Sequence, residues 1–178
     1  MGCSGSGKST LARHLAEALS LPHIELDSLF HQPNWTPLEQ SAFVAAVNEA
    51  TARCPNGWIA DGNYNSALGD LLESQATTIL WFDLKRSQVM YRVIRRSLTR
   101  ALTREELWNG NREHWRNLLK WDPEASIIRW SWTRHGLYHD RLSRAAATAP
   151  IGQQWIRLSR QSDVDRVIRQ ARSAGVIQ

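Results

Sequence analysis

A three-layer α/β fold with a mostly parallel sheet is predicted by two observations. The chain opens on Met1-Gly2-Cys3-Ser4-Gly5-Ser6-Gly7-Lys8-Ser9-Thr10, which satisfies the phosphate-loop pattern G-x-x-x-x-G-K-[ST] at every fixed position. Behind it, short apolar runs alternate with longer segments of helical periodicity. Such alternation folds into parallel strands joined by crossover helices. The length, 178 residues with 42% hydrophobic and 22% charged, suits one domain over 1–178 with a sizeable core.

The loop carries the chemistry of the prediction. Gly2, Gly5 and Gly7 permit a wrap whose backbone N–H groups, with those of Ser4, Ser6 and Thr10, face phosphate oxygens. Lys8 places a point charge on the β- and γ-phosphates of ATP, and the Ser9 hydroxyl is placed to ligate the bridging Mg²⁺. Leu11, Leu15, Ala18 and Leu19 recur at helical spacing, so a helix N-terminus points at the same phosphates. The plain alternative is a glycine-rich turn before an ordinary helix. Only Met1 precedes Gly2, so the strand that normally leads into such a loop is missing and is expected upstream.

Composition narrows the classes. No apolar run approaches the ~20 residues that cross a bilayer, and no signal-peptide layout is present. Cys3 and Cys54 have no metal-ligand spacing, and a disulfide at Cys3 would obstruct the loop, which points to a reducing cytoplasm. The net charge is +5 with a sequence pI near 9.8, almost all of it arginine, since the only lysines are Lys8, Lys85 and Lys120. Arginine grips phosphate in two places, and the high pI also leaves nucleic-acid binding open.

Beyond the first helix, His23-Ile24-Glu25-Leu26 reads as a strand delivering Asp27 to the ligand-binding edge of the sheet. Asp27 would orient an acceptor hydroxyl or hold a water on Mg²⁺; it also suits the N-cap of the Ser28-Leu29-Phe30 turn. The stretch from His31 to Pro37 either lines an acceptor pocket or is a loop that Trp35 pins down. Pro37 to Arg53 has helical spacing, with Pro37 suited to the first turn. Trp58-Ile59-Ala60 reads as a strand running into Asp61, the best candidate acid for the Mg²⁺ shell, with an Asp-Gly turn as the alternative.

Thr77 to Phe82 reads as a buried strand ending at Asp83. The helix after it has an apolar face of Val89, Met90, Val93 and Ile94 and an opposite face of Arg92, Arg95, Arg96 and Arg100, which is either solvated or gathered round a phosphate. Residues of about 103–122 look like a mobile lid carrying Arg104, Arg112 and Arg116, or like a helical hairpin held by Arg–Glu pairs and tryptophans. A long helix is expected from about Glu124 to Ala147. A strand over Trp155-Ile156-Arg157-Leu158 and a closing helix capped by Gln161-Ser162-Asp163 follow. Arg160, on the loop between them, would border the adenine.

These motifs together resemble the P-loop kinase-like proteins related to adenylate kinase, and most closely the topology modulation proteins of the FlaR type. The matching stretches are Gly2 to Thr10, Ile-Glu-Leu-Asp ending at Asp27, Trp58 to Tyr64 with Asp-Gly-Asn-Tyr, and Leu102 to Arg116. The resemblance implies a P-loop NTPase fold of the nucleoside-monophosphate or shikimate kinase kind with a helical lid. It also implies transfer of the γ-phosphate of ATP–Mg²⁺ to a small acceptor. Lys8, Ser9, Asp27, Asp61 and the lid arginines Arg104, Arg112 and Arg116 are carried over by matched position. Adenylate kinases continue Asp-Gly-[Phe/Tyr]-Pro-Arg, whereas here Asn63-Tyr64 follows Gly62, so the acceptor stays open between nucleotide and hydroxylated metabolite. Glu25-Leu26-Asp27 resembles the Asp-x-Asp of shikimate-type kinases, in which the second acid orients a hydroxyl. The reading from another class is a nucleotide-dependent DNA-binding regulator, which the family name suggests.

Overall fold

The computed structural model describes residues 1–103, 106–112 and 127–175. Two compact units form, one from Met1, Gly7–Ala76 and Arg160–Gln178, the other from Gly2–Ser6 and Thr77–Ser159.

The first unit begins with α1 (Lys8–Leu19), started by Gly7 in the left-handed region at φ 104°. Its C-terminus is closed by Ser20, also left-handed, whose N–H reaches the carbonyls of Ala16 and Glu17. Leu11, Ala12 and Leu15 form the buried face, and the helix packs along the closing helix Gln161–Gly175, whose Val167 and Ala171 are buried. Strand β1 (His23–Glu25) runs parallel to a strand at Ile59–Asp61, with Glu25 opposite Asp61.

At Leu26 the chain turns directly into the short helix α2 (Leu26–Phe30), one residue earlier than the expected strand end. The N-cap is therefore Glu25, and Asp27 lies inside the first turn rather than capping it. Two-residue strands β2 (His31–Gln32) and β3 (Thr36–Pro37) pair antiparallel round a turn at Pro33–Trp35. Pro37 thus belongs to a short ladder and not to the helix expected to begin there. A proline is tolerated on such a strand because the ladder there is short and exposed.

Helix α3 (Gln40–Ala52) starts later, where the Glu39 carboxylate accepts from the backbone N–H groups of Ser41 at 2.9 Å and Ala42 at 3.2 Å. After it comes β4 (Ile59–Asp61), then α4 (Asn65–Leu68) and α5 (Leu71–Gln75). Ile24, Leu26, Phe43, Val47 and Leu68 make the core of this unit, with Phe30, Val44, Trp58 and Tyr64 against it.

In the second unit β5 (Thr78–Phe82) pairs in parallel with β6 (Gln154–Leu158) over five residues, Thr78 opposite Gln154 and Phe82 opposite Leu158. The run is continuous because Ile79, Trp81 and Phe82 are all buried. Helix α6 (Arg86–Thr103) packs on the helix Ile127–Ala147, burying Val89, Val93 and Leu142. The expected start of that second helix near Glu124 lies outside the described residues. Gly2–Ser6 belongs to this unit. Gly2 has φ 131°, and a Cβ there would sit 2.9 Å from the Cβ of Phe82, so only glycine lets the loop lie this close to β5.

Candidate active site

In the first unit Lys8 and Ser9 act on Asp61, while Asp27 lies in a second cluster with Tyr64 and His31. Lys8 and Ser9 open α1, and the position of Gly7 leaves the first N–H groups of the helix without a side-chain cap or an acidic residue in the first turn. An uncapped, electropositive helix start of this kind favours an anion.

Asp61 ends β4 with its side chain 7% exposed, and the Nε2–H of His23 donates to its Oδ1 at 2.9 Å. Burial pushes the Asp61 carboxyl up, but hydrogen bonds from His23 and Ser9 and the charges of His23 and Lys8 outweigh it, so the carboxyl lies below its ordinary value. His23 moves the opposite way: its hydrogen bond to Asp61 raises it against the lowering effect of burial. Asp61 is the last residue of the strand register, opposite Glu25, at the end of the expected strand. A hydroxyl and a carboxylate, both hard oxygen donors, fit Mg²⁺, which keeps several waters and needs only one or two protein oxygens.

The second cluster surrounds Asp27. The phenol of Tyr64 donates to Asp27 Oδ1 at 2.6 Å, and its oxygen lies 3.2 Å from His31 Nε2. With the phenol proton committed to the carboxylate, the His31 N–H is the donor in the second bond. Burial lowers the His31 pKa, opposed by the Asp27 charge, so the imidazole is neutral near pH 7. Phe30 touches the rings of Tyr64 at 4.6 Å, Phe43 at 5.1 Å and His31 at 5.2 Å, and Trp35 lies edge-on to His31 at 5.3 Å. Asn34 and Trp35 both hold left-handed backbone, at φ 60° and 58°, a conformation that costs a bulky residue such as Trp about 1–3 kcal/mol. Trp35 thus pins the turn against His31.

In the second unit, α6 arginines engage the loop segment Gly2–Ser6. Arg92 donates to the Ser6 carbonyl at 3.0 Å and Arg96 to the Ser4 hydroxyl at 3.0 Å. Two of the four arginines thus contact loop backbone or side chain, while Arg95 is exposed. Sequence periodicity places all four on one face but does not name the loop as their partner.

Asp83 follows β5, gripped by Arg157, whose Nε donates at 2.7 Å, and by His139 at 2.7 Å. Burial raises its carboxyl, and these two hydrogen bonds more than reverse the effect. It is a clamp between strand ends, with the Arg157 guanidinium stacked 5.6 Å from the Trp81 ring.

Of the remaining expected site residues, Arg112 lies in a turn closed by a bridge to Glu106, whose carboxylate accepts from its guanidinium at 3.1 Å. Thr10 is exposed on α1, and Arg160 is exposed ahead of the closing helix, its backbone N–H on the Asp163 carboxylate. Arg104 and Arg116 lie outside the described residues. Both cysteines are thiols, with Cys3 buried and its Sγ 3.5 Å from the Ser131 carbonyl.

No protein-family model matches the chain, and no curated protein sequence does. Among solved structures it is similar to a gluconokinase from Sinorhizobium meliloti 1021, with a TM-score of 0.51 and 19% identity, over 99% of this chain and 89% of that one. The likeness shows that the two chains share a fold. Among the described residues no helix is long and apolar enough to cross a membrane.

Proposed function

We propose that this protein is an ATP-dependent phosphotransferase that moves the γ-phosphate of ATP–Mg²⁺ to a small acceptor in the cytoplasm. The observation that carries this reading is the complete phosphate loop ending in the uncapped start of α1, with Ser9 and Lys8 at that start helping to hold the buried Asp61 carboxyl of β4 below its ordinary value. The fold shared with a gluconokinase supports it. The finer resemblance, to the topology modulation proteins, rests on the Asp61-Gly62-Asn63-Tyr64 and Leu102 to Arg116 stretches.

In this reading the loop amides, Lys8 and the first turn of α1 bind the phosphates and spread charge in the transition state. Ser9 and Asp61 would hold Mg²⁺, which would supply positive charge to the phosphates. His23 keeps the Asp61 carboxylate aimed and ionised. Asp27 accepts the proton of the attacking acceptor group, and the resemblance assigns Arg104, Arg112 and Arg116 to the transferred phosphate. Arg160 borders the base.

Lys8→Ala tests the assignment. ADP release from ATP–Mg²⁺ in the presence of pooled acceptors is expected to fall by a thousandfold or more in the variant, with its melting temperature within a few degrees of wild type. Surviving turnover would remove the loop from the mechanism. The DNA-binding regulator remains the second reading, favoured by the basic pI alone.

A further inference from the structure

The Asp27 cluster carries more than a general base. Asp27 is half-buried, its Oδ1 is taken by the Tyr64 phenol at 2.6 Å, and among the described residues no cation pairs with it. Tyr64 is in turn held by the His31 N–H at 3.2 Å and wedged between Phe30 and Phe43. His31 is fixed by Trp35, which projects from the left-handed turn. The three polar groups thus form one line, His31 to Tyr64 to Asp27, at whose end Asp27 keeps a second oxygen, Oδ2.

We propose that Tyr64 and His31 are positioning residues that aim Asp27 at an alcohol, so that the acceptor is a hydroxyl-bearing compound whose reacting end is uncharged, and not a nucleoside monophosphate. The inference rests on the phosphotransferase reading. A phosphate monoester at the reacting position would bring a dianion against the Asp27 carboxylate, with which no cation of the described residues pairs, a repulsion that an acceptor hydroxyl avoids. An alcohol instead donates to Oδ2. In the transfer step the acceptor oxygen forms a bond to the γ-phosphorus, the bond from that phosphorus to the β–γ bridging oxygen breaks, and ADP leaves with that electron pair. The hydroxyl proton passes to Asp27 and from there to solvent. Tyr64 holds one rotamer of the carboxylate, and His31 prevents the phenol from rotating its proton away.

The experiment measures ADP release from ATP–Mg²⁺ with two sets of acceptors, in wild type, Tyr64→Phe, His31→Ala and His31→Gln. One set holds D-gluconate, sorbitol, glycerol and the four ribonucleosides; the other holds the corresponding nucleoside monophosphates. A fluorescent ATP analogue reports nucleotide binding separately. Expected are stimulation by at least one member of the first set and none by the second. Tyr64→Phe should lower kcat about tenfold to a hundredfold with KM for the acceptor within twofold. His31→Ala should lower it less, and His31→Gln, which keeps an N–H donor, should restore most of it. ATP-analogue affinity should be the same in all four proteins. Stimulation by a nucleoside monophosphate would overturn the acceptor class while leaving phosphotransfer standing. A Tyr64→Phe enzyme with wild-type kcat, or one changed only in KM, would overturn the positioning role. ATP binding with no stimulation by either set would overturn both this inference and the phosphotransferase reading.

Discussion

His23 and Asp61 are a single interaction seen from two sides. The histidine is raised and the carboxyl lowered by the same 2.9 Å bond. For a raised histidine the stabilisation is complete below its unfolded value, about 6.5, and is lost as pH rises through the folded one. For a lowered carboxyl the stabilisation is complete above its unfolded value, about 3.9, and is lost as pH falls through the folded one. The pair therefore contributes most between the two, at mildly acidic pH. In urea titrations of Mg²⁺-free protein, wild type should exceed His23→Gln by about 1.5 kcal/mol near pH 5 to 6. The gap should narrow steadily towards pH 9; a gap that widens there would contradict the assigned charge states. Phe43 is a second case in which one residue decides much. It is fully buried between Phe30 and Tyr64, so Phe43→Ala should cost about 3–5 kcal/mol and loosen the Tyr64 ring with it.

Helix α6 shows what an element adds. Its buried stripe of Val89 and Val93 packs the second unit, and its basic face places Arg92 and Arg96 on the loop segment that precedes α1. A guanidinium holding a backbone carbonyl contributes about 1.5–3 kcal/mol where the contact is shielded from water. Arg92→Ala is therefore expected to weaken ATP-analogue binding by about tenfold, because the Ser6 peptide loses the group that holds its orientation. Circular dichroism should show the helix intact. Unchanged nucleotide affinity would mean that the loop keeps its shape without the arginine.

For the molecule as a whole, a net charge of +5 from an arginine-rich sequence is compatible with two kinds of partner, small phosphates and nucleic acid. The observed arginine partners are local: Ser4 and Ser6 for Arg96 and Arg92, Glu106 for Arg112, Asp83 for Arg157, Glu49 for Arg53 and Asp163 for Arg166. These six guanidinium groups are engaged within the fold. Fluorescence anisotropy at physiological salt should find DNA affinity no tighter than about 10⁻⁶ M, the upper edge of nonspecific binding. Nanomolar binding with a steep salt dependence would favour the regulator.

Local chemistry was legible in the chain. The phosphate-loop pattern, the helix that begins at Lys8, the parallel character of the strands and the acid Asp61 at a strand end follow from residue type and spacing, because glycine conformations, helix periodicity and strand-end acids are set within a few neighbours. Asp27, expected at a strand end, lies instead inside the first turn of α2. The errors were also local, at places where two short-range signals compete. Pro37 suited a helix start, yet the Glu39 carboxylate bonds two N–H groups and moved that start to Gln40, leaving Pro37 to the small ladder. Only the tertiary structure decided the partners. Tyr64 meets Asp27 across 37 positions and His31 across 33, while Arg92 and Arg96 reach loop residues 86 and 92 positions away. No periodicity encodes such a pairing, since it depends on how the intervening chain closes and which buried groups must then be satisfied.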